Sequence, residues 1–138
     1  MRKQLVLSVG FFLLVTASLH AQSANRLSVN IPFDFVVGSI EFKAGTYMIK
    51  PMGVGGDAVL IGSTDSREVR VVPVWTRALK RMDHDSELVF LVTGNRYALW
   101  QIWTENYSEG LEFYVFDEAP DASTPSSVVS IKAALIEP

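Results

Sequence analysis

The sequence predicts an all-β fold: a single-domain antiparallel β-sandwich or flattened barrel of about eight to nine short strands. Three observations point there. No segment places apolar residues at helical spacing. Alternating or continuous apolar runs rich in Val, Ile, Phe, Tyr and Trp recur along the whole chain. Between them, Gly, Pro, Asn, Asp and Ser cluster at intervals of about 8–12 residues, the spacing of turns in such folds.

The N-terminus reads differently. Arg2 and Lys3 precede an apolar run, Leu5 to Val15, and then the small-residue segment Ala17-Ser18-Leu19-His20-Ala21. This is the pattern of a signal peptide, cut after Ala21 or, because Leu19 is an unusual residue there, after Ala24. The run is shorter than the roughly 20 residues a membrane helix needs. No cysteine is present, so lipid anchoring, disulfides, thiol catalysis and cysteine-ligated metals are not expected. The expected organisation is a signal peptide over 1–21, a β-domain over 22–117, a flexible linker over 118–127 and a C-terminal strand over 128–138. An exported chain, periplasmic or extracellular, follows. Without Arg2 and Lys3 the 12 basic residues become 10 against 15 acidic ones, a net charge of −5. That balance argues against nucleic acid, whose phosphates call for a basic face.

The elements follow in order. Arg26 to Val37 alternates, with Leu27, Val29, Ile31, Phe33, Phe35 and Val37 on one side, and predicts a half-buried strand. Pro32 removes a ladder donor, which suits an edge or a bulge. Ile40 to Phe42 and Thr46 to Pro51 are strands around a Lys43-Ala44-Gly45 turn. Met52 to Asp57, MGVGGD, is glycine-rich, but a phosphate cradle needs a helix next, and Ala58 to Gly62 reads as a strand. Glu68 to Arg77 is a strand with Val69, Val71, Pro73 and Trp75 on one face and Val72 and Val74 on the other. Ala78 to Ser86 is a polar connection with room for one helical turn.

The central prediction is a hairpin over Glu87 to Thr104. Leu88 to Val92 is a continuous apolar arm, Gly94-Asn95 suits a tight primed turn, and Arg96 to Trp103 returns. Alternation puts Ala98, Trp100 and Ile102 on one face and Tyr97, Leu99, Gln101 and Trp103 on the other. Both faces are apolar, so the hairpin belongs in mid-sheet, covered on both sides. Leu111 to Phe116 is a further strand, and Val128 to Ile136, being β-branched at its start, a strand in preference to a helix.

Two blocks, VNIPFDFVVGSIEFKAGTY over Val29 to Tyr47 and LVFLVTGNRYALWQIW over Leu88 to Trp103, resemble a family of small secreted bacterial proteins of uncharacterised function. Phe42-Lys43 stands where that family usually carries Leu-Pro. The resemblance implies secretion and an all-β domain, and brings no catalytic residue, cofactor or partner.

Chemistry has few footholds. Asp83-His84-Asp85 holds the one histidine after the leader; three adjacent residues cannot converge on one ion, so a solvated loop is the better reading and no metal or cofactor is expected. Ser66 and Ser86 lack a nucleophile-elbow context. Glu105, Glu109 and Glu112 offer carboxylates for glycoside hydrolysis, but in loops with no fixed separation. Arg77, Lys80, Arg81 and Arg96 form a small basic cluster best read as solvated, and Asn106-Tyr107-Ser108 fits a glycosylation acceptor. A transmembrane barrel is disfavoured by runs apolar on both faces and by Pro32 and Pro73 within strands. Aromatics are in surplus: Trp75, Tyr97, Trp100, Trp103, Tyr107 and Tyr114 are the candidate ligand or interface contacts, since neighbours on a strand face opposite ways and cannot all enter one core. The function expected is non-enzymatic binding or self-association through an aromatic-rich surface, with an envelope polymer or a second copy as partner. The alternatives are a small apolar-ligand carrier with an internal pocket and a polysaccharide-acting enzyme.

Overall fold

The computed structural model describes residues 26–53, 55–78, 84–105, 107–115 and 126–136, and twelve strands occur among these described residues. They are β1 (Arg26–Ile31), β2 (Phe35–Val37), β3 (Ile40–Phe42), β4 (Gly45–Met52), β5 (Ala58–Ser63), β6 (Val69–Pro73), β7 (Thr76–Ala78), β8 (Glu87–Thr93), β9 (Arg96–Trp103), β10 (Gly110–Glu112), β11 (Ser126–Lys132) and β12 (Ala134–Ile136). No helix occurs among the described residues. The leader over 1–21, most of the linker over 118–127, and Lys80, Arg81, Asp83 and Asn106 lie outside them.

Two sheets pack as a sandwich, not a closed barrel. One has five strands in the order β12-β1-β4-β5-β6. The other has seven, with β11-β8-β9-β10-β7 as its spine and the β2–β3 hairpin attached to β9 through a parallel bridge at Val36 and Ala98. Leu27, Val29, Ile31, Ile49, Val59, Ile61 and Val72 from the first sheet meet Leu88, Phe90, Leu99 and Ile102 from the second in one buried cluster. Phe35, Phe42 and Tyr47 fill one end of it as an edge-to-face and stacked set.

There are more strands than expected because three segments read as single strands each divide in two where the chain passes between sheets. The first break is at Pro32. The strand before it pairs inside the five-stranded sheet, between β12 and β4, so this proline is neither at an edge nor in a bulge; it lies in the crossing itself. Alternation survives the crossing, with Leu27, Val29, Ile31, Phe35 and Val37 all buried, because both halves face the same core. The second break follows Pro73. The Val74 N–H still donates to Asp57, just before β5 of the first sheet (2.9 Å), and the Trp75 N–H already donates to Glu112 of β10 in the second (2.9 Å). The third is at Ala133, whose N–H donates to Ser86 (2.9 Å) between β11 and β12. Strands that change sheets at bends are how a sandwich makes its corners. The C-terminal segment is strand, as expected, but it starts at Ser126, inside the stretch read as linker.

The central hairpin stands at β8 and β9, in mid-sheet, with Leu88, Val89 and Phe90 all buried. Only Gly94 of its two turn residues has positive φ (60°), the mark of a type II′ turn. One detail overturns the expected faces. Val89 pairs with Gln101 and Phe90 with Leu99, so Trp100 is an extra residue, a β-bulge whose carbonyl accepts the Phe113 N–H at 2.8 Å. The bulge restarts the alternation. Tyr97, Leu99 and Ile102 therefore all point inward, and Ile102 does not share a face with Ala98 and Trp100.

Candidate functional site

The bulge also sorts the aromatics. Tyr97 stacks on Phe33 with ring centroids 3.8 Å apart, against the core. Trp103 faces the other way and is 2% exposed, enclosed with Ala78, Val89 and Trp100. Its indole N–H donates to Gln101 Oε1 (3.0 Å), and the His84 ring covers it edge-on at 5.2 Å. A Cβ at Gly110 would come 2.9 Å from the Trp103 ring, so only glycine lets the β7–β10 pair lie this close. Gly110→Ala is expected to lose about 1–3 kcal/mol through overpacking. A urea midpoint equal to the parent's would show that the Trp103 enclosure can give way.

Trp75 and Tyr114 remain outside, with Tyr107 exposed elsewhere. Along β6 the inward residue is Val72, while Val69 and Val71 stay 56% and 54% exposed. Trp75, just past the end of β6 in the crossing, is 68% exposed. Tyr114 meets it at 5.2 Å between centroids. Met52 is also exposed, and pairing of Met52 with Ala58 and of Ala58 with Pro73 puts it in the same rows. Trp75, Tyr114, Val69, Val71 and Met52 are five of the eight large apolar side chains exposed among the described residues, so the exposure is concentrated. Exposed apolar side chains that share a face mark a contact surface more often than scattered single residues do. The valines and Met52 were not among the expected contacts. Their shared face with Trp75 is legible in the sequence, but both faces of that strand are apolar, so which one turns outward is not.

Of the residues considered for catalysis, Ser66, Ser86 and His84 tie loop backbone and Glu112 links β10 to β9. Ser86 is buried; its hydroxyl accepts the Glu105 N–H (2.9 Å) and its carbonyl the Ala133 N–H. Ser66 Oγ accepts the Glu68 N–H (3.4 Å). Both ring nitrogens of His84 face backbone carbonyls, of Asp85 (3.1 Å) and Tyr107 (2.6 Å). Glu112 accepts from Gln101 Nε2 (3.1 Å). Arg77 donates to the Gly55 carbonyl and lies 4.0 Å from Asp57, so the glycine-rich loop folds around a guanidinium. No group of three His, Cys, Asp or Glu residues among those described is placed to hold a metal ion, and no helix among them is long and apolar enough to cross a membrane.

A concavity of about 1190 Å³ lies between the β2–β3 hairpin and the ends of β4, β5 and β9. Tyr47, Phe35 and Phe42 line it together with Asp34, Glu41, Asp65, Glu68, Lys43, Arg70 and Arg96. Two of its carboxylates are engaged in turns. Asp34 accepts the Ala44 N–H (2.8 Å) and meets Lys43 (3.4 Å), and Asp65 accepts the Thr46 N–H (3.1 Å). The Ala44 N–H, helped by Lys43, holds the Asp34 carboxyl below the usual carboxylate range. Burial pushes the Tyr47 phenol up, with Glu68, Asp34 and Asp65 adding to it, and the phenol donates to the Lys43 carbonyl (2.5 Å). This wide, mixed-charge rim differs from an enclosed, mainly apolar ligand site.

The chain matches no family model, no curated protein and no solved structure.

Proposed function

We propose that this chain is an exported, non-enzymatic β-sandwich module that works by surface recognition, through the outer side of β6 and the Trp75–Tyr114 pair. The observation that carries the reading is that Met52, Val69, Val71, Trp75 and Tyr114, with Trp75 against Tyr114, make up five of the eight large apolar side chains exposed among the described residues. Export is supported by Arg2-Lys3, the Leu5 to Val15 run and the small residues up to Ala21. Trp and Tyr supply large contact area at low cost in side-chain entropy, which suits a recognition surface.

A photo-crosslinking residue placed at position 75 in the producing cells tests this, with the same residue at exposed position 107 as the comparison. Adducts at 75 in clear excess of those at 107 are expected. Equal labelling at both positions, or none at either, would overturn the reading.

A further inference from the structure

We propose that the partner of this surface is a second copy of the chain, joined β6 to β6 in antiparallel pairing across a two-fold axis at Val71. The proposal rests on the recognition reading above and names its partner.

β6 is the last strand of the five-stranded sheet. Its backbone has a defined polarity. The Ser63 N–H donates to the Glu68 carbonyl (2.8 Å) and the Val74 N–H to the Asp57 carbonyl (2.9 Å). In an antiparallel ladder the bonded residues alternate, so Arg70 opposite Ile61 and Val72 opposite Val59 also bond inward. Val69, Val71 and Pro73 must then turn their backbone polar groups away from β5, out of the sheet. Pro73 has no N–H and occupies one of these outward positions, where its absence breaks no bond to β5. The edge therefore offers two donors, at Val69 and Val71, and acceptors including Val71 and Pro73.

A two-fold axis at Val71 matches them. The two copies of Val71 exchange both of their bonds, and each Val69 N–H meets the Pro73 carbonyl of the second copy. Every outward donor is used, and only the Val69 carbonyls, opposite the Pro73 nitrogens, are left to water. Neighbouring registers are worse. An axis at Arg70 sets two guanidinium groups directly opposite each other, which is destabilising. An axis at Val72 sets Val69 opposite Trp75, beyond the end of β6 where the chain has already turned to Glu112, so the Val69 N–H meets no strand acceptor. In the Val71 register Arg70 lies opposite Val72 instead, and Val69 and Val71 gain the cross-strand neighbours that an edge strand lacks. An apolar edge with free donors and acceptors is the kind of template on which strands add.

The test is sedimentation equilibrium of the protein purified from its producing cells, over a wide concentration range. The mass of two chains is expected, falling to one chain in Val71→Pro, which removes an outward N–H and no bond to β5. Val71→Thr keeps that N–H and should keep the double mass. Amide exchange supplies a readout that needs no variant: Val69 and Val71 should be protected in the paired protein and exchange freely on dilution. A single-chain mass at every concentration, a Val71→Pro protein that still pairs, or free exchange at Val71 throughout would overturn the proposal. If the mass is that of one chain while position 75 still crosslinks to a different molecule, the recognition reading stands and only the second copy is lost.

Discussion

Phe90→Ala is expected to cost about 3–5 kcal/mol of folding stability, the range for removing a large aromatic ring from a packed core. Phe90 is fully buried in β8, opposite Leu99 and beside the Trp100 bulge. Its ring meets Phe33 edge-on at 5.0 Å and Phe35 at 5.6 Å. Phe33 lies in the crossing between the two sheets and stacks on Tyr97 of β9; Phe35 leads to Phe42 and Tyr47. One side chain therefore joins the hairpin, the crossing segment and the aromatic end of the core. Backbone strands on both sides fix these neighbours, so the space left by the ring cannot close by a simple shift. Against a total of roughly 5–15 kcal/mol for a domain, the loss is a large share. Val128→Ala, at an exposed position of β11, should stay within about 0.5 kcal/mol. A urea midpoint for Phe90→Ala as close to the parent's as that of Val128→Ala would show that the core is not organised around this ring.

The parts of the fold legible in the sequence are those governed by local chemistry. The hairpin is marked by Leu88 to Val92 and Gly94-Asn95, which specify strand and turn without reference to anything distant. The buried alternation from Leu27 to Val37 is visible because both of its halves face one core. What was not legible depends on pairing. Nothing local says that Pro32, Val74-Trp75 and Ala133 are corners, since a corner is defined by which sheet the next residue pairs with. The bulge at Trp100 is hidden for the same reason: an extra residue shows only against its partner strand, and it reassigns Ile102 from one face to the other. The candidate surface was half legible. The aromatic surplus pointed to Trp75 and Tyr114, but the same reasoning included Tyr97 and Trp103, which the inward stack on Phe33 and the enclosure behind Gly110 take up.

Ending the chain before Ser126 is expected to bring the molecule out of solution more than it unfolds it. β11 pairs with β8 over seven residues and β12 with β1 over three, so the same ribbon covers one edge of each sheet. Yet no side chain from 127 to 136 is fully buried; Val129, Ile131, Ala133 and Leu135 are only partly so. Full burial of a large apolar side chain is worth about 1.5–3 kcal/mol, and these gain only part of that. Ordering each ribbon residue costs roughly 1–2 kcal/mol of backbone entropy, so side-chain burial alone does not hold the ribbon down and its backbone bonds must. The Lys132–Asp85 pair, at 3.9 Å and largely exposed, adds little. Removal should therefore lower the melting temperature by only a few degrees. Its larger effect is to bare the outer edge of β8, whose Leu88 to Val92 run is continuous, apolar and strongly strand-forming. Such an edge pairs with any other strand it meets. Light scattering at increasing concentration should show open-ended aggregation of the shortened chain under conditions where the parent has a defined mass. A shortened chain with the parent's mass and melting temperature would mean that the ribbon does not guard these edges.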